Sequence, residues 1–179
     1  MTDERPVVKR TARALLLDGP DLIVIKRTKP GRAPYWITPG GGVEPGTDDT
    51  VVAALHRELD EELGAKATDV VPAFVHTVPY DPEEDGGLPP GGAALPAGGG
   101  TAAPYGVKVQ HFFVCRLAAM DPARRHGPEV EEPVGAYEIV RLPFTRAGLA
   151  SVDLVPPALR AYLDVNLEGV RALLAPDLG

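Results

Sequence analysis

Apolar positions change their spacing several times along the chain, and each change marks a predicted element. Residues 10–17, ending in Ala14-Leu15-Leu16-Leu17, become continuously apolar and predict a strand. Asp18-Gly19-Pro20-Asp21 is a turn signal, and Leu22-Ile23-Val24-Ile25-Lys26-Arg27 predicts a β-branched partner, so the two form a hairpin. Residues 29–34 read as loop, and Tyr35-Trp36-Ile37 is a short apolar stretch. It runs into Thr38-Pro39-Gly40-Gly41-Gly42-Val43-Glu44-Pro45-Gly46, where no regular element is expected to persist. Val51, Leu55, Leu59 and Leu63 then recur at helical spacing, with Thr47 or Asp48 as the expected cap and Gly64 as the stop.

Further on, Val70 to Val78 predicts a strand interrupted by Pro72, and Val107 to Leu117 a long one. In the long strand Val109, His111, Phe113 and Cys115 share one face, and Lys108, Gln110, Phe112 and Val114 the other. Residues 121–133 read as polar loop, Tyr137 to Leu142 as the last strand, and Pro157 to Leu174 as a closing helix. Its apolar side is Leu159, Leu163, Leu167, Val170 and Leu174. The order of elements predicts an α/β (α+β) sandwich with a mixed sheet in a single domain, 1–179. Residues 81–104 interrupt it with seven Gly, five Pro and five Ala, a composition that predicts a flexible surface insertion.

Composition narrows the function classes. With 179 residues, 44% hydrophobic and 24% charged, the chain has enough apolar material for a core. Its net charge of -7 argues against an electrostatic grip on duplex nucleic acid or an anionic membrane. No apolar run reaches the roughly 18–20 residues that span a bilayer, and the polar start Met1-Thr2-Asp3-Glu4-Arg5-Pro6 has no signal-peptide core, so a cytoplasmic location is expected. The single Cys115 excludes an intrachain disulfide framework and is expected to be inert packing. His56 and His76 receive no role, and His111 is expected in the core or a pocket wall.

The chemistry concentrates in Arg57-Glu58-Leu59-Asp60-Glu61-Glu62-Leu63-Gly64. With Glu58 set at zero on a helical wheel, Glu62 falls near about +40° and Glu61 near about −60°. Val51 and Leu55 fall near about +20° and +60°, so the carboxylates border the apolar stripe instead of lying opposite it. Acids grouped at the edge of a core repel one another and are costly to desolvate, so a positive partner is expected. Arg57 neutralises part of the charge, and oxygen ligands on one rigid element suit a hard cation such as Mg²⁺ or Mn²⁺. The Gly40-Gly41-Gly42 loop, free of side chains, could bring a backbone carbonyl to the same ion.

Gly40-Gly41-Gly42-Val43-Glu44-Pro45-Gly46 followed by Arg57-Glu58-Leu59-Asp60-Glu61-Glu62-Leu63-Gly64-Ala65 resembles the Nudix box, G-x5-E-x7-R-E-U-x-E-E-x-G-U, where U is bulky and aliphatic. Ala65 fills the last U position. The junction between loop and helix is two residues longer than the motif: counting from Gly41 puts Thr47 at the first Glu, and counting back from Arg57 puts Asp49 there, Asp49 being the preferred stand-in. The resemblance implies a Nudix-like α/β/α sandwich and a pyrophosphohydrolase of the MutT-like kind. Its substrate would be a nucleoside diphosphate derivative such as ADP-ribose, a nucleotide sugar or a nucleoside triphosphate. It also implies Mg²⁺ or Mn²⁺ held by Glu58, Glu61 and Glu62 with the Gly40 and Gly41 backbone, and Arg57 orienting a carboxylate. The general base is implied to be a box glutamate or an acid on a later loop, Glu129 first, with Glu131 and Glu132 as rivals.

Arg27 and Arg32 are expected to reach substrate phosphates; Trp36 is a candidate for base stacking, against core packing beside the loop. The expected partner is a small nucleotide, with no duplex nucleic acid and no membrane, on a monomer or homodimer. Two competitors are a catalytically silent Nudix-like nucleotide-binding or regulatory domain and an isoprenyl diphosphate isomerase. Three repelling acids kept together disfavour the first; a lone cysteine outside the box disfavours the second.

Overall fold

The computed structural model describes residues 5–87, 105–131 and 134–175, with the side chain of Glu129 also left out. Among the described residues the chain forms eight strands in one mixed sheet, in the order β5-β6-β1-β2-β3-β8, with β4 added to β1 and β7 to β2. The strands are β1 Val7–Asp18, β2 Asp21–Thr28, β3 Tyr35–Ile37, β4 Gly40–Gly42, β5 Ala65–Pro79, β6 Val107–Met120, β7 Ala136–Pro143 and β8 Leu154–Val155. The helices are α1 Val51–Leu63, α2 Pro82–Asp85, α3 Pro128–Glu131, α4 Arg146–Ala150 and α5 Pro157–Ala172. The expected hairpin is present, with Leu16 opposite Ile23 and Asp18 opposite Asp21. β1 runs parallel to β6, and β3 parallel to β8; the other pairings are antiparallel.

Strand alternation sends side chains into two cores. Leu15, Leu17, Leu22, Val24, Phe112 and Val114 point to one face, where the apolar side of α5 covers them. Ala14, Leu16, Ile23, Ile25, Phe113 and Cys115 point to the other, under Leu55, Leu59 and Leu63 of α1. Helix, sheet and helix thus stack as the expected sandwich. Each fully buried leucine contributes about 1.5–3 kcal/mol of transfer free energy, so either helix is held mainly by this burial. Among the described residues no helix is long and apolar enough to cross a membrane.

Several boundaries differ from the sequence expectation. The glycine loop is not wholly irregular: Gly42, Gly41 and Gly40 pair antiparallel with Thr11, Ala12 and Arg13. Glycine weakens a strand, but here the backbone must press close, since a Cβ on Gly40 would stand 2.0 Å from the Ala12 carbonyl oxygen. Neither Thr47 nor Asp48 caps α1. Thr50 does, its side chain accepting from Ala53 N at 3.0 Å, because Asp48 is engaged elsewhere. Gly64 ends α1 in the left-handed region, φ 60°, as expected. Pro72 does not shorten β5, which lies at the sheet edge, where register shifts with β6 absorb the missing donor. The 121–133 loop contains a 3-10 turn, Pro122–Arg124, and α3. Residues 82–85 of the expected insertion form α2, and residues 88–104 lie outside the described part.

Candidate functional site

α1 buries two acids beside its leucines: Glu58 is 8% exposed and Glu62 5%. The wheel placed Glu62 within the apolar stripe, and packing puts it there. What makes this tolerable is a dense set of donors. Arg57 donates to both oxygens of Asp48 (Nε to Oδ1 3.0 Å, Nη2 to Oδ2 2.9 Å). It also donates to Glu58 Oε1 at 3.0 Å, to Glu61 at 3.4 Å and to the Gly42 carbonyl at 2.9 Å, with Glu44 at 3.7 Å. The bidentate fork is the strong form of a charged hydrogen bond. It holds the Asp48 carboxyl below its ordinary range, chiefly through that hydrogen bond, and raises Arg57 in turn.

Asp48, with 3% of its side chain exposed, is thus the acid that Arg57 holds, whereas Asp49 was the expected stand-in for the first Glu of the box. Asp49 is exposed and Thr47 lies in a turn. The extra residues let the chain pass Glu44 and return a carboxylate to Arg57, with Glu44 N donating to Asp48 Oδ2 at 2.8 Å.

The glycine strand supplies the other support. Gly40 N donates to Glu62 Oε2 at 2.9 Å. A Cβ on Gly41 would lie 2.5 Å from the carboxylate of Glu58, so only glycine leaves room for that acid. Opposite, the segment after β6 closes a cavity of about 170 Å³ lined by Glu44, Glu58, Glu61, Glu62, His126, Gly127 and Pro128. This wall is fastened to the helix backbone: Arg125 Nε donates to the Glu62 carbonyl at 2.6 Å and His126 N to the Glu61 carbonyl at 2.9 Å. His126 was not foreseen, and an isolated histidine in a polar loop offers no sequence signal.

The other expected residues are dispersed. Arg27 lays its guanidinium 3.7 Å over the Tyr137 ring and donates to the Val134 carbonyl at 3.0 Å. Arg32 sits 3.9 Å over Tyr35. Trp36 packs against the α5-side core with Lys26 above its ring at 5.6 Å, on the sheet face away from α1. None of the three lines the acidic cavity. The Gly40 carbonyl accepts from Arg13 at 3.0 Å. The Glu129 backbone lies in α3, just past Gly127; its side chain lies outside the described part, Glu131 is exposed, and Glu132 lies outside the described residues. Cys115 is fully buried and its thiol pushed up to about 12, consistent with inert packing. His111 faces Arg10, Nη1 to Nε2 2.9 Å, and burial and that charge lower its pKa.

As a donor set, Glu58, Glu61 and Glu62 on one cavity wall suit a hard divalent cation. As they stand, no three His, Cys, Asp or Glu side chains among the described residues form a group that could hold a metal ion. Glu58 and Glu61 pair with Arg57, at 3.0 and 3.4 Å. The residues fit a cation provided that those two carboxylates exchange Arg57 for it.

A NUDIX domain model matches residues 8–134, most of the chain. The chain belongs to the Nudix family. Within that family it resembles an RNA pyrophosphohydrolase from Erythrobacter litoralis (strain HTCC2594), 36% identical over 104 residues, 54% of this chain and 56% of that protein. The match thus spans little more than half of that relative. Among solved structures, a NUDIX hydrolase from Nitrosomonas europaea superposes with a TM-score of 0.59 at 16% identity, covering 90% of this chain and 89% of the other. The crystal structure of an ADP compounds hydrolase superposes with a TM-score of 0.60 at 19% identity, covering 96% of this chain and 78% of the other. At these identities the superpositions establish a shared Nudix fold.

Proposed function

We propose that this Nudix domain is a divalent-metal-dependent pyrophosphohydrolase acting in the cytoplasm on a small nucleoside diphosphate derivative. The observation that carries the proposal is the meeting of Glu58, Glu61 and Glu62 at one cavity beside a single arginine, which neutralises only part of their charge. Three acids packed together destabilise a protein unless something positive uses them. Mg²⁺ or Mn²⁺ bound there would supply a water of lowered pKa and offset the charge of the pyrophosphate. The chain's part is positioning. Gly40 N–H pins Glu62, Gly41 admits Glu58, and Arg57 ties the helix to the glycine strand through the Gly42 carbonyl. Arg57 is thus a positioning residue. Glu129, two residues beyond the Gly127 that abuts Glu61, is the proposed proton acceptor, with a box glutamate as its rival.

A second substrate is favoured by one observation. The Erythrobacter relative is named for acting on RNA, so the 5′ end of an RNA is the alternative to a free nucleotide. The net charge of -7 supports the small nucleotide. Assays of ADP-ribose, a nucleotide sugar, ATP and a 5′-triphosphorylated oligoribonucleotide with Mg²⁺ or Mn²⁺ separate the two. Glu61→Gln and Glu62→Gln are each expected to lower turnover at least a hundredfold, about 3 kcal/mol of barrier, with the circular dichroism spectrum unchanged. Wild-type turnover in both variants would remove the metal assignment.

A further inference from the structure

The segment that walls the acidic cavity is fastened at both ends, and the second fastening lies away from the cavity. At the near end His126 N donates to the Glu61 carbonyl at 2.9 Å and Arg125 Nε to that of Glu62 at 2.6 Å. Gly127 then turns the chain with φ 95°, so close to Glu61 that a Cβ there would stand 3.2 Å from its carboxylate. α3 follows and carries Glu129, with the Val130 and Glu131 N–H groups donating to the Gly127 carbonyl at 3.1 and 3.0 Å. A four-residue helix bonded to its own first turn is too short to hold a position by itself. Its place is set by the two ends of the segment.

At the far end stands Arg27, next to the last residue of β2. Its Nη2 donates to the Val134 carbonyl at 3.0 Å. Its guanidinium lies 3.7 Å from the centre of the ring of Tyr137, its antiparallel partner on β7. Gly135, between Val134 and β7, has φ 81°, and a Cβ there would stand 2.2 Å from the Thr28 carbonyl oxygen. Only glycine lets the chain press against the end of β2 at this point. The Arg27 Nε is buried and has no hydrogen-bond partner among the described residues. Glu138, the residue after Tyr137, pairs with Lys26 instead, at 4.0 Å.

A cation with one N–H enclosed and unpaired costs stability, so this arrangement requires a reason. Arg27 is poorly placed to take a phosphate. One face of its guanidinium is covered by the ring, one N–H is given to a peptide carbonyl, and it does not line the acidic cavity. It is well placed to hold a loop. A planar guanidinium stacks and donates in one fixed orientation, which a lysine ammonium cannot do. Fastening the segment 127–135 at both ends removes freedom that a loose Val134 end would restore to α3.

We propose that Arg27 is a positioning residue for hydrolysis: it clamps the Val134 end of the segment, so that α3 and Glu129 keep their place beside the acidic cavity. This role stands in place of the phosphate contact expected from the sequence. Arg27 acts through the backbone of the segment, and Tyr137 is the platform that keeps its guanidinium flat. The effect on turnover rests on the hydrolase reading; the clamp rests on the contacts of Arg27 with Val134 and Tyr137.

Two assays on the full chain separate these. The first is hydrogen–deuterium exchange without nucleotide or metal. Peptides covering 127–135 are expected to exchange about tenfold faster or more in Arg27→Met, Arg27→Lys and Tyr137→Leu, with α1, β1 and β6 unchanged. Tyr137→Phe keeps the platform and is expected to match wild type. The second is hydrolysis of whichever substrate wild type turns over. The same three variants are expected to lose about tenfold or more in kcat, with KM within about twofold of wild type. Lysine decides between clamp and phosphate contact. A contact would show as a raised KM in Arg27→Met and be largely restored in Arg27→Lys, and that pattern overturns the proposal. So does unchanged exchange in Arg27→Met, or exchange that rises across β1 and β6 as well, which marks a general loss of stability. Faster exchange in 127–135 with normal kcat would discard the role in turnover and leave the hydrolase standing. Faster exchange in a chain that hydrolyses none of the substrates would keep the clamp and remove the hydrolase reading.

Discussion

α1 and α5 cover opposite faces of the same sheet, and what each buries is the lesson of this molecule. α5 buries Leu159, Leu163, Leu167 and Val170 and leaves its charges at the surface, where Arg160 pairs with Asp164 at 2.9 Å and Arg146 with Glu168 at 2.7 Å. α1 buries Glu58 and Glu62 among Ala54, Leu55, Leu59 and Leu63. Both regions contain a carboxyl that an arginine holds below its usual range. Glu168 is brought to about 2 by Arg146, and Asp48 is lowered by Arg57. Yet the Glu168 side chain is 71% exposed and that of Asp48 3%. Solvent screens the first pair, so its shift says little about stability. The second pair cannot fall back on water if it is broken.

Arg57→Ala is therefore expected to have the largest effect, about 3 kcal/mol or more of lost stability, because it removes the guanidinium from which both Asp48 and Glu58 accept. Urea denaturation measures it; a loss below about 1 kcal/mol would make this network no different from a surface pair. Next in size is the acid limb of stability. The folded pKa of Asp48 is depressed, so its contribution is complete above its unfolded value near about 4 and disappears as pH falls through the folded one. Asp48→Asn is expected to cost about 1.5–3 kcal/mol at pH 7 and to flatten the loss on acidification. An acid limb as steep as wild type would sink that assignment. The smallest effect is expected from Glu168→Ala, whose Tm should stay within the scatter of repeat melts although Arg146 holds that carboxyl at about 2. A clear drop would mean that the α5 surface behaves like the α1 interior.

Much of this contrast was legible in the chain. The four-residue spacing of Val51, Leu55, Leu59 and Leu63 located α1, and the wheel put Glu62 on its buried side. The alternation of β6 correctly parted Phe112 and Val114 from Phe113 and Cys115, which enter different cores. What was not legible depended on distant partners. Three glycines became a strand because the first half of β1 offered them an edge. Asp48 lost the cap to Thr50 because an arginine nine residues ahead was the stronger partner. Trp36 sits beside the glycine loop in sequence, but the pairing of β3 with β2 turns it to the α5 face. β8 and α4 are too short for any periodicity to announce them.

The wall that closes the acidic cavity is stitched chiefly to peptide groups: Asp121 N to the Gly64 carbonyl at 3.0 Å, His126 N to that of Glu61 and Arg125 to that of Glu62. Among the α1 carboxylates Asp60 joins it, its Oδ2 3.9 Å from His126 Nε2. Exchanging Glu61 for glutamine should therefore leave the enclosure standing, so chemistry and architecture can be edited separately. Position 64 is the exception, since even a methyl group would collide with the Asp121 carbonyl oxygen at 2.0 Å and pry the seam open.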